Sequence, residues 1–355
     1  MAKVLMKGNE AVGAAAIQAD CRFFFGYPIT PQSELPEYMS RELPKNGGVF
    51  LQAESEIAAI NMVYGAAGVG ARVMTGSSSP GISLKQEGIS YIAGAELPCV
   101  IVNMVRGGPG LGSIQPAQSD YFQATKGGGH GDYHIVVLAP DSIQETVDLV
   151  MEGFDIADQY RNPVMILGDG MIGQMMEPVE FRQPPKRELP PKDWATTGTK
   201  NSNGRRRVIN SLYIDAADCE ELNTRLQKKY RVIEKNEVKY ESFNTEGADI
   251  ILTAYGTTSR IAKNAIKRLE KEGIKIGMIR PITLWPFPYD IYKKAARGTA
   301  KAFLTIEMSA GQMIEDVKLG VNGQKPVYFY GRTGGMIPTP AAIVEEVKKI
   351  LGGVK

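Results

Sequence analysis

The stretch Gly26-Tyr27-Pro28-Ile29-Thr30-Pro31-Gln32-Ser33 follows directly on the aromatic run RFFF at 22–25. Apolar residues closed by glycine and proline read as a buried strand that stops abruptly. The two prolines fix their own φ angles and push Tyr27 and Thr30 away from the helical region, so the loop is stiff. Such a loop can present the Thr30 hydroxyl, or the backbone of Pro28 and Ile29, to a ligand without an ordering cost. It is equally a plain strand-to-helix turn with Pro31 at the first helical position. Both readings make this a strand handing over to a helix, the repeating unit of a parallel sheet.

Outward from this loop the pattern recurs. Apolar runs at 22–26, 49–52, 71–75, 98–104, 134–138 and 163–167 read as strands between small-residue helical patterns, and they make residues 1–177 a doubly wound parallel-sheet α/β domain. Ligand sites in such sheets form in the loops at the carboxyl ends of the strands. Between 178 and 247 the chain turns proline-rich and charged (FRQPPKRELPPKDW), then polar (TTGTKNSNGRRR), and 216–241 reads as an amphipathic helix, which together form a connector with a helical arm. From 248 to 355 the alternation resumes with DIILTAYG, a helix over 259–272, IKIGMIRPITLWPFP and AFLTIEMSAGQ, a second α/β domain.

Composition narrows the functional classes. Forty-one basic residues against 39 acidic leave a formal charge of +2, which offers no electrostatic footprint for nucleic acid. The 43% hydrophobic and 23% charged content is ordinary globular usage. Cys21, Cys99 and Cys219 are far apart and form no CxxC pair for zinc, redox exchange or an iron–sulfur cluster, so no metal site and a reducing, cytoplasmic setting are expected. MAKVLMKGNE is no secretory leader, and no later stretch approaches the roughly 18 apolar residues of a membrane span, so no membrane partner is expected.

Three further segments carry chemistry. Gln52-Ala53-Glu54-Ser55-Glu56 closes the second run; Ser55 can cap the following helix, leaving Glu56 either in its solvent-facing first turn or in an apolar pocket beside a cofactor nitrogen. Thr75-Gly76-Ser77-Ser78-Ser79-Pro80-Gly81 offers small hydroxyl and glycine residues whose backbone N–H groups can face an anion, without the lysine of a nucleotide P-loop. Arg106-Gly107-Gly108-Pro109-Gly110-Leu111-Gly112 sends an arginine from a buried strand into a glycine-rich loop, suited to clamping a carboxylate or to pairing with a structural acid. Two features read as bland. Gly168-Asp169-Gly170 imitates the start of a GDG…N diphosphate motif but lacks the asparagine, which makes Asp169 a strand-end turn residue; His130 is a lone loop histidine. Arg205, Arg206 and Arg207 read as a solvated loop.

Taken together and in order, GYPITPQSE, QAESEIAA, SSSPGISLKQEG and RGGPGLG resemble the alpha subunit of 2-oxoacid:ferredoxin oxidoreductases, nearest to short alpha subunits acting on branched-chain 2-oxoacids. The segment from 248 resembles the transketolase C-terminal domain. The resemblance implies a pyrimidine-binding domain for thiamine diphosphate shared with a beta subunit, which supplies the diphosphate motif and Mg2+. It implies gamma and ferredoxin-like delta subunits carrying [4Fe-4S] clusters, coenzyme A as co-substrate and ferredoxin as acceptor.

Residue by residue, the resemblance makes Glu56 the carboxyl that hydrogen-bonds the cofactor's pyrimidine, with Tyr27, Pro28, Ile29 and Thr30 around the cofactor. It makes Thr30, Ser78, Ser79, Arg106 and Leu111 the substrate contacts, with Glu56, Thr30 and Arg106 as the catalytic set. Gly110 and Leu111 stand where 2-oxoglutarate enzymes of the family carry hydroxyl residues (RGGPSTG), which favours an apolar substrate tail such as that of 2-oxoisovalerate over 2-oxoglutarate. The implied reaction is oxidative decarboxylation of a 2-oxoacid to acyl-CoA. A thiamine-dependent transferase and a non-catalytic assembly subunit are the alternatives.

Overall fold

The computed structural model describes residues 3–182, 184–198, 204 and 206–353. Its strands, in chain order, are β1 (Val4–Lys7), β2 (Phe23–Gly26), β3 (Val49–Gln52), β4 (Val73–Ser77), β5 (Cys99–Val105), β6 (Val136–Leu138) and β7 (Pro163–Asp169), then β8 (Met176–Val179), β9 (Tyr240–Phe243), β10 (Ile250–Thr253), β11 (Ile276–Pro281), β12 (Thr283–Trp285), β13 (Ala302–Glu307) and β14 (Val327–Gly331). The six strands expected from apolar runs are β2 to β7. They form a sheet in the order β12-β6-β7-β5-β4-β2-β3, parallel except for β12, which joins antiparallel to β6. β5 lies at its centre, all seven residues of CVIVNMV buried and paired along their length with β7. A run rich in β-branched residues and apolar but for Asn103 suits a strand covered on both faces.

The path of the chain through this sheet sets the position of the site. From β2 it moves outward to β3, then returns to the other side of β2 to make β4 and β5. The strand order therefore reverses between β2 and β4, and the crevice at the carboxyl ends of those two strands is where such sheets bind ligands. The loops after Gly26 and Ser77 open into it, and β5 beside them releases Arg106.

The second sheet runs β14-β13-β10-β11-β9, parallel apart from β9. Two details differ from the sequence expectation. The helix expected over 216–241 ends at Asn236, and Tyr240–Phe243 is instead a strand of the second sheet, paired with β11. Lys239 between them is held by its backbone N–H donating to the Thr283 hydroxyl (2.9 Å), which turns the chain into the new direction. β12, read from sequence as part of the second domain, crosses over to close the edge of the first sheet.

The two sheets are pinned together by buried polar side chains. The Gln118 side-chain amide donates to the Tyr255 carbonyl (2.9 Å) and accepts from the Thr258 hydroxyl and the Met308 N–H. The Asp316 carboxylate, 1% exposed, accepts from Tyr121 (2.6 Å), Tyr289 (2.5 Å) and Lys126 (2.6 and 2.8 Å). Arg187, within the connector, bonds Glu152 and Glu237 and ties that segment to the body. No helix among the described residues is long and apolar enough to cross a membrane.

Candidate active site

The loop 27–33 is braced from three sides. Arg106 Nη1 donates to the Thr30 carbonyl (2.9 Å), and Asn9 and Gln174 side chains donate to the Pro31 carbonyl (2.8 and 3.1 Å). The helix after the loop begins at Glu34, so Pro31 sits before it rather than at its first position. Tyr27, Pro28 and Thr30 are exposed and Ile29 half-buried, which leaves the Thr30 hydroxyl accessible on a fixed backbone.

Ser55 caps the helix Glu56–Gly68 as its sequence allows, its hydroxyl accepting from Ala58 N (3.1 Å). Glu56 does not face water; the residue is 7% exposed. Its carboxyl makes no hydrogen bond among the described residues. A Cβ built on Gly81 would stand 2.7 Å from Glu56 Oε1 and 2.1 Å from Ser77 Oγ, so the missing side chain is what leaves room for that carboxyl. Beside it Ser77 Oγ is buried without a partner, as is Ser78 Oγ at the next residue; both side-chain heteroatoms of Gln32, which lies against Gly76, are likewise unpartnered. Ser78 stands at the cap of the helix Ser79–Gly94 without using its side chain to cap.

Arg106, 7% exposed, pairs with no acidic residue among the described residues. Its Nη atoms donate to the Thr30 and Leu111 carbonyls (2.9 and 3.0 Å), and its Nε is buried without a partner. The reading in which it pairs with a structural acid is therefore not realised. A buried guanidinium held by neutral carbonyls keeps its charge for an anion. Behind it runs a chain of contacts: Arg106 N donates to Ser79 Oγ (3.1 Å), Ser79 N to Asn103 Oδ1 (3.1 Å), and Asn103 Nδ2 to Asp120 Oδ2 (2.9 Å). Burial raises the Asp120 carboxyl above its usual range against these bonds.

A cavity of about 560 Å³ adjoins this chain, lined by Ser79, Gly107, Gly110, Asp120, Gln312 and Thr333 among others, and so bounded by both sheets. Ser79 and the loop after Arg106 belong to it. Leu111 lends only its carbonyl, since its side chain stands 83% exposed.

The bland readings hold at two positions. Asp169 caps the helix Gly170–Gln174, accepting from Met171 N (2.9 Å) and Ile172 N (3.2 Å). His130 is exposed, edge-on to Tyr91, and its carbonyl accepts from Ser90 (2.6 Å). Of the three arginines, Arg206 is exposed and Arg207 half-buried; Arg205 lies outside the described residues.

Sequence reasoning missed Lys85, which is completely buried with Nζ donating to Thr75 Oγ1 (2.7 Å) and the Gly76 carbonyl (3.1 Å). Burial pushes its amine down to about 7, and the nearby Glu56 charge opposes that. The signal was legible: Lys85 falls three residues after Ile82 and four before Ile89, inside the apolar stripe of its helix. Gln32 and Ser77 carried no such signal, since only folding shows that they lack partners.

Residues 14–241 match the family described as pyruvate flavodoxin/ferredoxin oxidoreductase, thiamine diphosphate-binding, and residues 248–343 match pyruvate:ferredoxin oxidoreductase core domain II. The chain is 49% identical over 352 residues to the ketoisovalerate oxidoreductase subunit VorB of Methanothermobacter marburgensis, with 99% of each covered. It is 37% identical to the 2-oxoglutarate synthase subunit KorA of Methanothermobacter thermautotrophicus, over 97% of this chain and 98% of that one. Among solved structures, a 2-oxoglutarate:ferredoxin oxidoreductase from Magnetococcus marinus superposes with a TM-score of 0.87 at 29% identity, over 98% of this chain and 65% of that one. A split-gene transketolase at 16% identity and a TM-score of 0.62 shares the fold alone.

Proposed function

From the premise that this chain belongs to the 2-oxoacid:ferredoxin oxidoreductases, as an alpha-type subunit, we propose that it supplies the pyrimidine half of a thiamine diphosphate site. The reaction is the CoA-dependent oxidative decarboxylation of a 2-oxoacid to acyl-CoA and carbon dioxide, with electrons passing to ferredoxin. The observation that carries this reading is the Glu56 carboxyl, buried and without a hydrogen-bond partner among the described residues, in the space that the missing side chain of Gly81 leaves it.

The residues present fit the cofactor's pyrimidine. A ring with nitrogen donors and acceptors would satisfy Glu56 together with the orphaned Ser77 hydroxyl beside it. Bound thiamine diphosphate supplies the electron sink that lets a 2-oxoacid lose carbon dioxide. Glu56 then holds a proton at the pyrimidine ring, a hydrogen-bonding role for which its buried position suits it. Tyr27, Pro28 and Ile29 form the rim of the loop against the cofactor, with Thr30 presenting its hydroxyl to the cofactor and the substrate's oxygen. Arg106 offers its unpaired charge to the substrate carboxylate, with Ser78 and Ser79 beside it.

The diphosphate half belongs to a beta subunit carrying Mg2+, because Asp169 of the only GDG-like run is committed to a helix cap. The [4Fe-4S] clusters belong to partner subunits, gamma or the ferredoxin-like delta: two of the three thiols here are buried in the core and cannot assemble with Cys219 into a four-ligand site. Free thiols and a nearly balanced charge fit a cytoplasmic complex that engages neither nucleic acid nor membrane. The division proposed is 1–177, 178–247 and 248–355; its last boundary coincides with the start of the second family match at 248, while the first match runs unbroken through 14–241.

We assign a branched 2-oxoacid, 2-oxoisovalerate, as the preferred substrate, on the name of the 49% identical relative and on the absence of hydroxyl residues at Gly110 and Leu111. The test is a CoA-dependent dye-reduction assay of the reconstituted complex across pyruvate, 2-oxoglutarate and 2-oxoisovalerate. The highest kcat/KM is expected with 2-oxoisovalerate; a clear preference for 2-oxoglutarate would overturn the assignment.

A further inference from the structure

Asp120 is a buried carboxyl beside the site that the proposed chemistry leaves without a task. It stands at the cap position of the short helix Tyr121–Thr125, where an aspartate ordinarily turns its oxygens onto the first N–H groups, yet its side chain makes no capping bond. The residue is 9% exposed, and its Oδ2 accepts instead from Asn103 Nδ2 (2.9 Å), 17 positions back along the chain. Asn103 is the polar residue of β5 and has no accessible surface. A buried amide is costly unless both its ends are bonded.

In one direction these bonds lead to Arg106. Ser79 N is a donor only, so the Asn103 carboxamide must present Oδ1 to it (3.1 Å) and its NH2 to the other side, where Asp120 supplies the acceptor. Ser79 grips Arg106 by both backbone groups, its hydroxyl accepting from Arg106 N (3.1 Å) and bonding Arg106 O (3.3 Å). Without the acceptor at Asp120 the carboxamide is free to turn over, which would set its NH2 against the Ser79 N–H. In the other direction the bonds lead to the second sheet. Gln312, in the loop after β13, donates from Nε2 to the Ser119 carbonyl (2.8 Å) and accepts from Phe122 N (2.8 Å), so it holds the backbone on either side of Asp120. That loop is built around the buried Glu307 carboxyl, which accepts from Ser309 Oγ (2.8 Å) and from Gln312 N, Met313 N and Ile314 N (3.1, 3.0 and 3.0 Å). Ser79, Asp120 and Gln312 share the wall of the 560 Å³ cavity.

We propose that Asp120 is a positioning residue through which the second sheet fixes the substrate clamp. Asp120 holds Asn103, Asn103 holds Ser79, and Ser79 holds the backbone from which Arg106 offers its charge to the 2-oxoacid carboxylate. This rests on the proposed role of Arg106, but the chain of bonds is a property of the protein without substrate or cofactor. It explains why an aspartate at a helix cap turns away from the helix, and why an asparagine stands in a buried strand. It also gives the loop after β13 a task at the site.

The test compares reconstituted complexes carrying Asp120→Ala, Asp120→Asn, Arg106→Met and the double variant of Asp120→Ala with Arg106→Met. Asp120→Ala is expected to raise KM for the 2-oxoacid about tenfold or more, the order of loss that a misplaced positioning group brings, with KM for coenzyme A unchanged. Asp120→Asn keeps an oxygen that can accept from Asn103 Nδ2 and should stay close to wild type. The double variant should be no worse than Arg106→Met alone, because both changes act on one interaction. A second readout uses the full-length chain by itself. The Arg106 Nε–H is buried without a partner, so its hydrogen exchange, assigned by its loss in Arg106→Met, reports how firmly the guanidinium is held. That exchange should quicken in Asp120→Ala and in Gln312→Ala. If Asp120→Ala does not fold, Asp120→Ser, too short to reach Asn103, takes its place. Losses that add in the double variant, an Asp120→Asn as impaired as Asp120→Ala, or unchanged exchange in either chain variant overturns the proposal. Full activity of the Arg106→Met complex would instead sink the proposed role of Arg106, and the exchange measurement would still decide whether Asp120 fixes that side chain.

Discussion

At the scale of single residues, folding leaves several buried side chains at the site unsatisfied. Arg106 is buried, charged and unpaired by any acid among the described residues, so Arg106→Met should remove the substrate's counter-charge as well as one brace of the loop at Thr30. We expect kcat/KM for the 2-oxoacid to fall about ten- to a hundredfold, the worth of hydrogen bonds to a charged group, together with a stability loss of about 1–3 kcal/mol from the Thr30 and Leu111 carbonyls that lose their donor. Lys85 gives a pH prediction. Its amine is lowered from 10.5 to about 7 in the folded chain, so between those values the unfolded state binds more protons and stability rises with pH. Urea unfolding of wild type and Lys85→Met across pH 7 to 10 should show that slope in the wild type and a flatter one in the variant. Identical slopes would remove Lys85 as its source. Glu56 and Arg106 were legible as candidates because each follows a strand end in a distinctive motif. Whether Glu56 faced water and whether Arg106 met an acid depended on contacts with residues 25 and 76 positions away, which no local pattern contains.

At the scale of elements, the crevice depends on two helices approaching closely, Glu56–Gly68 and Ser79–Gly94. Gly88 allows it, since a Cβ there would stand 2.5 Å from Ile60, and Gly81 leaves the gap that Glu56 fills. Gly88→Ala should cost about 1–3 kcal/mol by overpacking, read from denaturant unfolding. Gly81→Ala should behave differently, displacing the Glu56 carboxyl and lowering turnover far more than stability. Comparable losses of turnover in the two variants would argue that the gap at Gly81 has no special role. The sequence made β2 to β7 readable because they are continuous apolar runs ended by glycine, proline or serine. It misled at Tyr240–Phe243, where YESF alternates like an edge strand but follows a strong helical pattern without a glycine or proline to separate them. It also hid β12, whose pairing with β6 joins residues more than 140 positions apart, a partnership set by the packing of the two sheets.

At the scale of the whole molecule, the chain is two sheets locked into one body by buried polar contacts. Asp316→Ala would strand the Tyr121 and Tyr289 hydroxyls and the Lys126 ammonium, and should cost about 3–5 kcal/mol in urea unfolding, as removal of one partner from a buried charged network does. A loss below about 1 kcal/mol would mean that the network is not a clasp between the sheets. On the proposed reading the body so formed presents half a site, with groups for a pyrimidine and a carboxylate and, among the described residues, no cluster of side chains that could hold a metal ion. The central claim is that this half becomes catalytic only with partner subunits and acts through Glu56. The most direct test is CoA-dependent reduction of a low-potential dye by 2-oxoisovalerate, measured on the reconstituted complex with wild-type chain and with Glu56→Gln. Activity in the wild-type complex and a loss of about a hundredfold or more in the variant is predicted, within the range that removal of a positioned acid–base group produces. Undiminished turnover by the Glu56→Gln complex would contradict it.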